Sequence, residues 1–412
     1  MCRSPYPSRL YIDFDSFFAS AEQHLEPALR GRPVGIIPLD TAFTSLIAAS
    51  REAKRQGVRM GMSCAEARDL CPGIVFRVAR HDAYAALHHR MKAALGEHFE
   101  ILATRSIDEV VARLMANEYA RIEAIVAAAK ADFYGRFSPS LTFSVGVSYS
   151  ELLAKIAAEM NKPDAFVVLD DAALPGALHV LDLTDIPGIS RGMARRLEQA
   201  GVRSVEALWQ LAPKHARAIW GGVQGERFLS ALHGREVEAP PTLRRMFGHG
   251  RVLPKDWRTP EGVLACARVL LLKAAGRLRR EGYLAGALYF SVRGRGVRFG
   301  IERQFAPAMD DHCFLNALAA CHAAWLRRGP VDGIKSVNVS LFGLMAVQAR
   351  QGDLFHDAED RARWEAVSRA CDAMRVRFGG ASLTLGVHKA IPGGYAGGKI
   401  AFNRIPHEHD FL

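Results

Sequence analysis

The chain has 412 residues, more than one hydrophobic core usually organises, so several domains are expected. With 49% hydrophobic and 24% charged residues, its composition is that of an ordinary soluble protein rather than a disordered one. The formal charge of +11 favours a polyanionic partner. Nearly all of the excess lies in residues 240–345, where 17 Lys or Arg face 7 Asp or Glu.

The cysteines and the apolar segments predict where the protein works. Seven cysteines, without a C-x-x-C pair, argue against a zinc site or a disulfide framework and favour a reducing compartment. The N-terminus lacks an apolar signal core, and the most apolar later stretch, 262–276, contains Arg268 and Lys273. We therefore expect a cytoplasmic protein with no membrane partner.

The first 170 residues alternate between strand and helix patterns, which predicts a mixed α/β sheet layer. Strands are expected at 9–14, 34–37, 100–103, 110–114, 141–148 and 166–169. Helices are expected at 17–22, 48–55, 63–70, 118–134 and 151–160.

The second half changes character. Helices are predicted at 192–200, where Gly201 provides a C-cap, and from Ser204 onward. A tether is expected at 236–246, followed by a compact α+β module with helices at 260–281 and 313–327 and strands at 288–292 and 337–341. A further helix after Asp357 is expected to dock on its own protein through an apolar face formed by Trp364, Val367, Cys371, Met374 and Phe378.

Two acidic stretches framed by apolar residues are the most informative feature. Asp13 follows a strand pattern, and Asp108-Glu109 lies between two others. A carboxylate beside an apolar strand is costly unless its charge is compensated, and Mg²⁺ is a common compensator. Either stretch alone could be a loop edge or a solvated hairpin tip. Together they favour a site in which Asp13, Asp108 and Glu109 hold two Mg²⁺ ions for phosphoryl transfer.

Two other features are typical of nucleic-acid binding. Residues 185–190 lead into a helix in a block that resembles a helix–hairpin–helix, with Gly188 and Ser190 at the turn that would contact a phosphate. A Pro-Gly turn between helices is also common without any ligand. Arg245 and Arg251 begin the basic module and are candidate DNA contacts, although many of its arginines could simply form a solvated face.

The ordered set of motifs resembles the Y-family of translesion DNA polymerases, and most closely its DinB/UmuC (impB/mucB/samB) branch. The resemblance spans roughly residues 10–345 and rests on several segments, namely 12–19, 61–63, Ser106-Ile107-Asp108-Glu109, Val145-Gly146-Val147-Ser148, 153–158, Lys162-Pro163-Asp164 and Ile186-Pro187-Gly188-Ile189. It implies an α+β multidomain fold shaped like a right hand. The palm would be 1–169 with small fingers inserted at about 17–79, the helical thumb 170–235, the linker 236–246, the little finger 247–345 and the tail 346–412.

The resemblance also implies roles for individual residues. The Phe14 carbonyl would join Asp13, Asp108 and Glu109 as a metal ligand. Phe18 would be the steric gate that excludes a ribose 2′-hydroxyl. Phe17, Arg51, Lys54 and Lys162 would contact the incoming nucleotide. The expected partners are primer-template DNA and a dNTP, bound by a monomer with low fidelity.

Some positions depart from the family pattern. The usual Tyr-Glu-Ala-Arg of the fingers is Arg51-Glu52-Ala53-Lys54, which moves the guanidinium by nearly one helical turn. The usual Asn-Lys after the Val-Gly-Ile-Ser strand is Ser150-Glu151, and the glycine expected after Pro163-Asp164 is Ala165. These changes put the nucleotide contacts and the catalytic efficiency in question.

The tail contains Gln351-Gly352-Asp353-Leu354-Phe355, which resembles the pentapeptide by which bacterial polymerases bind the sliding β-clamp. Gln351, Leu354 and Phe355 would enter a hydrophobic groove of the clamp.

Two other functions compete with an active polymerase. The run Asp13-Phe14-Asp15 also looks like the D-x-D of haloacid-dehalogenase phosphatases, which leaves the second acidic stretch and the basic module unexplained. Alternatively, the chain could be a weakly active or inactive Y-family paralogue that acts as a clamp-tethered adaptor. The three carboxylates favour the active enzyme.

Overall fold

The computed structural model describes residues 3–38, 40, 44–236, 243–329, 331–350 and 358–378, together with residues 383, 385 and 405. Contacts divide the chain into two compact units, the first formed mainly by Met1–Pro240 and the second by Pro241–Lys399. Among the described residues, none of the helices is both long and apolar enough to cross a membrane.

A five-stranded mixed sheet is the centre of the first unit. Its strand order is β5-β6-β1-β7-β8, where β1 is Arg9–Phe14, β5 Glu100–Thr104, β6 Glu109–Arg113, β7 Phe143–Ser148 and β8 Phe166–Val168. The β5-β6, β6-β1 and β1-β7 pairs are antiparallel and the β7-β8 pair is parallel. The mixed sheet predicted from the sequence is confirmed.

The two faces of this sheet have different roles. Leu10, Ile12 and Phe14 point into a large core with helices α4 (His81–Gly96) and α6 (Ile122–Arg136). Tyr11 and Val111 point the other way and pack on Ala154 and Ala158 of α7 (Glu151–Glu159). Because side chains alternate along a strand, Asp13 belongs to the same face as Tyr11, beside α7.

Close packing of α7 on the sheet depends on Gly146 in β7. A methyl group there would lie 2.0 Å from the Ala154 carbonyl oxygen and 2.2 Å from the Ala158 nitrogen. Both atoms are backbone, so they cannot move aside by a rotamer change. Only glycine therefore allows α7 to approach the strand this closely.

A small three-stranded sheet and short helices make up the predicted fingers. Its order is β3-β2-β4, with β2 at Val34–Ile37, β3 at Ala48–Ala49 and β4 at Val75–Val78. The accompanying helices are α1 (Phe17–Leu25), α2 (Arg51–Arg55) and α3 (Cys64–Leu70). The helix predicted at 48–55 is therefore wrong over its first residues, which form a strand that pairs with β2.

Helices dominate residues 170–235. They are α8 (Arg191–Gln199), α9 (Val205–Trp209), α10 (Pro213–Trp220) and α11 (Gln224–Leu232), and they share a core with Leu153 and Ile156 of α7. The sequence predicted both ends of α8 and the start of α9 to within one residue. It did not predict α4, and it joined α5 (Ala116–Tyr119) to α6, which the structure separates at Ala120–Arg121.

The second unit is a four-stranded antiparallel sheet covered by helices. The order is β11-β10-β12-β9, with β9 Met246–Val252, β10 Tyr283–Arg293, β11 Arg298–Ala308 and β12 Ser336–Ala346. Helices α12 (Pro260–Arg280) and α13 (Asp311–Arg328) share its apolar core. The α+β character predicted for this region is confirmed.

Helix α14 (Ala358–Phe378) docks on the second unit, as predicted, but largely through a polar side. The buried Arg279 guanidinium donates to Asp311 at 2.7 Å and to Asp372 of α14 at 2.6 and 2.9 Å. Trp364 stacks on His312 with ring centroids 4.1 Å apart. Three residues of the predicted apolar face remain exposed, namely Val367, Met374 and Phe378. The prediction was wrong at these three positions because the buried Arg279 pairs with Asp372, which turns a polar side of α14 toward the second unit.

We expect Gly146→Ala to lower the free energy of unfolding by about 1–3 kcal/mol, since the added methyl group overpacks backbone against backbone. Denaturant unfolding of the whole protein measures this loss. Gly135→Ala is the matched control, because Gly135 lies in α6 with open space around it and the change should be neutral or stabilising by up to about 1 kcal/mol. Equal stability of the two variants would refute the close-packing argument.

Candidate active site

Sheet register brings the two acidic stretches together. Asp13, next to the last residue of β1, is the direct cross-strand partner of Glu109, the first residue of β6. Asp108 lies in the turn before β6, and its carbonyl accepts the Phe14 amide at 2.8 Å. The turn breaks the alternation of the strand, so the adjacent Asp108 and Glu109 are not forced to opposite faces.

A third carboxylate completes the cluster, and the sequence did not predict it. Carboxylate oxygens of Asp13, Glu109 and Glu159 all lie within 4.8 Å of one another. Glu159 is the last residue of α7, the helix that packs on the Asp13 face. Its spacing of three from Lys162 carried no helical signal, because Lys162 lies beyond the end of α7. Asp108 is not in this trio, and the Ser106 hydroxyl donates to its carboxylate.

Two lysines face these carboxylates. The Lys162 amine lies 2.7 Å from Asp13 and 2.9 Å from Glu159. The Lys155 amine pairs with Glu109 and lies 5.3 Å from the centre of the Tyr11 ring. Each cation therefore offsets part of the charge that burial makes costly.

Compensation by the lysines is incomplete. Burial raises the pKa of Asp13 well above its ordinary value, although the Lys162 charge acts against this shift. Burial also raises the pKa of Asp108, with the Glu109 charge adding to it and the Ser106 hydrogen bond opposing it. Carboxylates that resist ionisation in the protein alone are ionised more easily beside a divalent cation. Hard oxygen donors at this spacing fit such a cation.

The predicted nucleotide contacts lie around the start of α1. Phe17 is buried in the core, so only its backbone is available to a ligand. Phe18 is half-buried and stacks on Tyr84 with ring centroids 4.8 Å apart. The Ala19 and Ser20 amides donate to the Ser16 carbonyl at 3.0 and 3.1 Å. The amides of Phe17 and Phe18 precede these first helical bonds, which makes this end suited to an anion.

Positively charged groups also converge here. The Lys54 amine donates to the Ser16 hydroxyl at 2.8 Å. Desolvation and, to a smaller extent, the neighbouring Lys162 charge lower the pKa of Lys54. Cations beside a helix N-terminus suit a polyphosphate.

The departures from the family pattern have local structural roles. Arg51 donates to the Ser140 carbonyl at 3.1 Å and to the Thr142 hydroxyl at 3.3 Å, so its guanidinium already has partners on the β7 side. The Ser150 hydroxyl caps α7 through the Leu153 amide. Glu151 forms a two-point ion pair with Arg105.

The candidate DNA contacts differ in their surroundings. Gly188 has a φ of +93°, which favours glycine, and Ser190 caps α8 from an exposed position. Arg245 is exposed. Arg251 is half-buried and shares a sheet face with Phe247, which packs in the helix-covered core. Burial raises the pKa of Cys266 in α12, and the Arg251 charge opposes that rise. That position does not favour a DNA contact by Arg251, because alternation along β9 points its side chain toward the helices.

Gln351, Leu354 and Phe355 lie outside the described residues, as do Asp357 and most of the predicted 236–246 linker. Their predicted roles stay predictions.

Comparison with known proteins agrees with this fold and site. Residues 12–159 match the impB/mucB/samB family, and residues 244–354 match the C-terminal domain of the same family. A DNA polymerase IV of Moorella thermoacetica is 32% identical over 378 residues, 90% of this chain and 94% of that protein. A DNA polymerase IV of Methanoculleus marisnigri is 36% identical over 304 residues, 72% of this chain and 84% of that relative.

Among solved structures, a chimera of the Y-family DNA polymerases Dbh and Dpo4 matches with a TM-score of 0.67. The sequences are 21% identical, and the match covers 82% of this chain and 99% of the chimera. At this identity the likeness shows the fold alone, which is that of a Y-family polymerase. The chain belongs to the impB/mucB/samB family, and the resemblance predicted from its motifs is confirmed.

Proposed function

We propose that the chain is a DNA-directed DNA polymerase that transfers a nucleotide from a dNTP to a primer 3′-hydroxyl during low-fidelity translesion synthesis. The observation that carries this proposal is the cross-strand pairing of Asp13 with Glu109, beside Asp108, at one end of the sheet. Relatives over 90% of the chain are named DNA polymerase IV, which supports the same reaction.

Asp13, Asp108, Glu109 and the Phe14 carbonyl would hold two Mg²⁺ ions. When bound, such ions activate the attacking hydroxyl and stabilise charge on the transferred phosphoryl and leaving groups. The set of hard oxygen donors and the raised pKa values of Asp13 and Asp108 fit this cofactor. Glu159 lies close enough to add negative charge to the same site.

The other residues of the site bind and orient the nucleotide in this proposal. Lys54 and Lys162, with the first amides of α1, face the triphosphate. Phe18, held flat against Tyr84, faces the sugar. Arg51 helps indirectly, because its bonds to Ser140 and Thr142 tie the fingers helix α2 to the segment that leads into β7.

DNA is the proposed polyanionic partner. The capped turn at Gly188 and Ser190 offers backbone amides to a phosphate. In the second unit, the basic excess of residues 240–345 supplies a charge field that attracts DNA without sequence preference. Arg245 remains a candidate contact there.

Clamp binding is part of the proposal on sequence alone. In the sequence, Gln351, Leu354 and Phe355 come shortly after the predicted little finger, 247–345, and we propose that this segment tethers the enzyme to a sliding β-clamp. We propose that the protein works in this way as a monomer in the cytoplasm.

Two alternatives are less well supported. A haloacid-dehalogenase phosphatase does not agree with membership of the impB/mucB/samB family. An inactive adaptor would need neither an acidic cluster that burial makes costly nor the Lys162 amine paired with it. The active polymerase accounts for both features.

The double variant Asp108→Ala/Glu109→Ala is expected to abolish primer extension, because metal-assisted transfer then loses its charged ligands. A primer-extension assay with Mg²⁺ and all four dNTPs measures this, with affinity for primer-template followed separately by fluorescence anisotropy. Arg136→Ala is the control for losing an ion-pair partner outside the site, since Arg136 pairs with Glu97 and Asp132. Extension by the double variant at the wild-type rate would disprove the proposed function.

Phe18→Ala is expected to raise ribonucleotide incorporation at least about tenfold relative to deoxynucleotides, since the ring no longer opposes a 2′-hydroxyl. The ratio of kcat/KM for a ribonucleotide and its deoxy counterpart measures the effect. Phe18→Tyr, which keeps the aromatic ring, should stay close to the wild type. An unchanged ratio in Phe18→Ala would mean that Phe18 is only a packing residue.

A further inference from the structure

Asp15 is the most completely satisfied carboxylate beside the candidate active site. Its side chain is almost fully buried, with 3% exposed. One carboxylate oxygen accepts the Thr142 hydroxyl at 2.7 Å and the Asp164 amide at 2.8 Å. The other accepts the Ser144 hydroxyl at 2.9 Å. Asp15 and these three donors link the end of β1, the start of β7 and the loop after α7.

The loop held by Asp15 carries Lys162. Asn161 and Asp164, on either side of Lys162-Pro163, have φ values of +60° and +58°. L-residues other than glycine adopt this left-handed region unfavourably, so surrounding contacts must hold the loop in place.

Ser144 forms a second hydrogen bond to the same loop. Its hydroxyl accepts the Ala165 amide at 3.2 Å while donating to Asp15. Two consecutive backbone amides, those of Asp164 and Ala165, are thus fixed by one side-chain pair. On the far side, Lys130 donates to the Asp164 carboxylate at 2.7 Å.

Asp15 is also linked to helix α2 through hydrogen bonds. The Thr142 hydroxyl that donates to Asp15 accepts a hydrogen bond from Arg51 at 3.3 Å. The Asp15 carboxylate therefore bonds both to the loop that carries Lys162 and to the hydroxyl that binds Arg51. Two residues earlier, the Asp13 carboxylate contacts the Lys162 amine directly.

We infer that Asp15 is a positioning residue for nucleotide binding, which sets the place of Lys162 by holding the backbone at Asp164. This inference rests on the proposed polymerase function. Asp15 touches no nucleotide itself. It acts through the loop, and its loss weakens dNTP binding more than it slows the chemical step.

The test compares Asp15→Ala with Asp15→Asn in single-nucleotide incorporation. Asp15→Ala leaves the Asp164 amide unpaired, so KM for the dNTP should rise about tenfold while kcat falls by less than about threefold. Asp15→Asn keeps an acceptor for the Asp164 amide and can donate to Ser144, so its KM should stay within about threefold of the wild type. Affinity for primer-template should not change in either variant.

Two further variants separate positioning from folding. Asp170→Ala is the matched control, because Asp170 accepts two backbone amides, at 3.0 and 3.1 Å, at the end of β8 outside the site. If thermal unfolding shows that Asp15→Ala does not fold, Ser144→Ala takes its place and should raise KM by roughly threefold through the Ala165 amide.

A double-mutant cycle gives the decisive comparison. If Asp15 acts through Lys162, Asp15→Ala should add less than about twofold to the KM of Lys162→Ala. The inference would be overturned if the fold-changes in KM of the two single variants multiplied in the double variant. A wild-type KM in Asp15→Ala would also overturn it, as would an equal rise in KM in Asp15→Asn and Asp15→Ala. A wild-type protein that extends no primer would refute the proposed function, and this inference with it.

Discussion

Negative charge on the α7 side of the five-stranded sheet must be compensated, and the rest of the site depends on that constraint. Asp13, Glu109 and Glu159 approach one another within 4.8 Å beside a sheet whose opposite face is apolar core. Lys155 and Lys162 offset part of this charge, yet the pKa of Asp13 remains raised. Without a cation, this arrangement lowers the stability of the folded protein, so it favours cation binding. Active sites commonly combine lower stability with function in this way.

Helix α7 and the loop after it supply both lysines that balance this charge. Helix α7 carries Lys155, together with the carboxylate of Glu159, and the loop carries Lys162. The helix reaches the sheet only because Gly146 has no side chain, and it remains anchored at its start by the Ser150 cap. Electrostatics at the site therefore depend on a steric feature of β7 and on a helix cap.

Much of the fold and part of the site could be predicted from the sequence. Apolar runs predicted β1 and β2 to the residue. The charge cost of two acidic stretches beside apolar strands led to the grouping of Asp13 with Asp108 and Glu109. Glu159 was missed because a polar residue at the end of a helix is usually exposed to solvent. Only the packing of α7 on the Asp13 side of the sheet shows that it belongs to the site. Asp15 was missed as a loop anchor because its partners, Thr142, Ser144 and Asp164, are more than 120 residues away in sequence. The docked side of α14 was wrong because ion pairs with Arg279 leave no periodic signal.

The central claim is that Asp13, Asp108 and Glu109 gather divalent cations around an incoming nucleotide. Electron paramagnetic resonance of Mn²⁺, titrated into the protein with primer-template and a non-hydrolysable dNTP analogue, counts these ions directly. The account predicts two tightly bound Mn²⁺ per wild-type chain and weaker binding in Asp13→Asn. Equal Mn²⁺ binding by the two proteins, or none by the wild type, would contradict it.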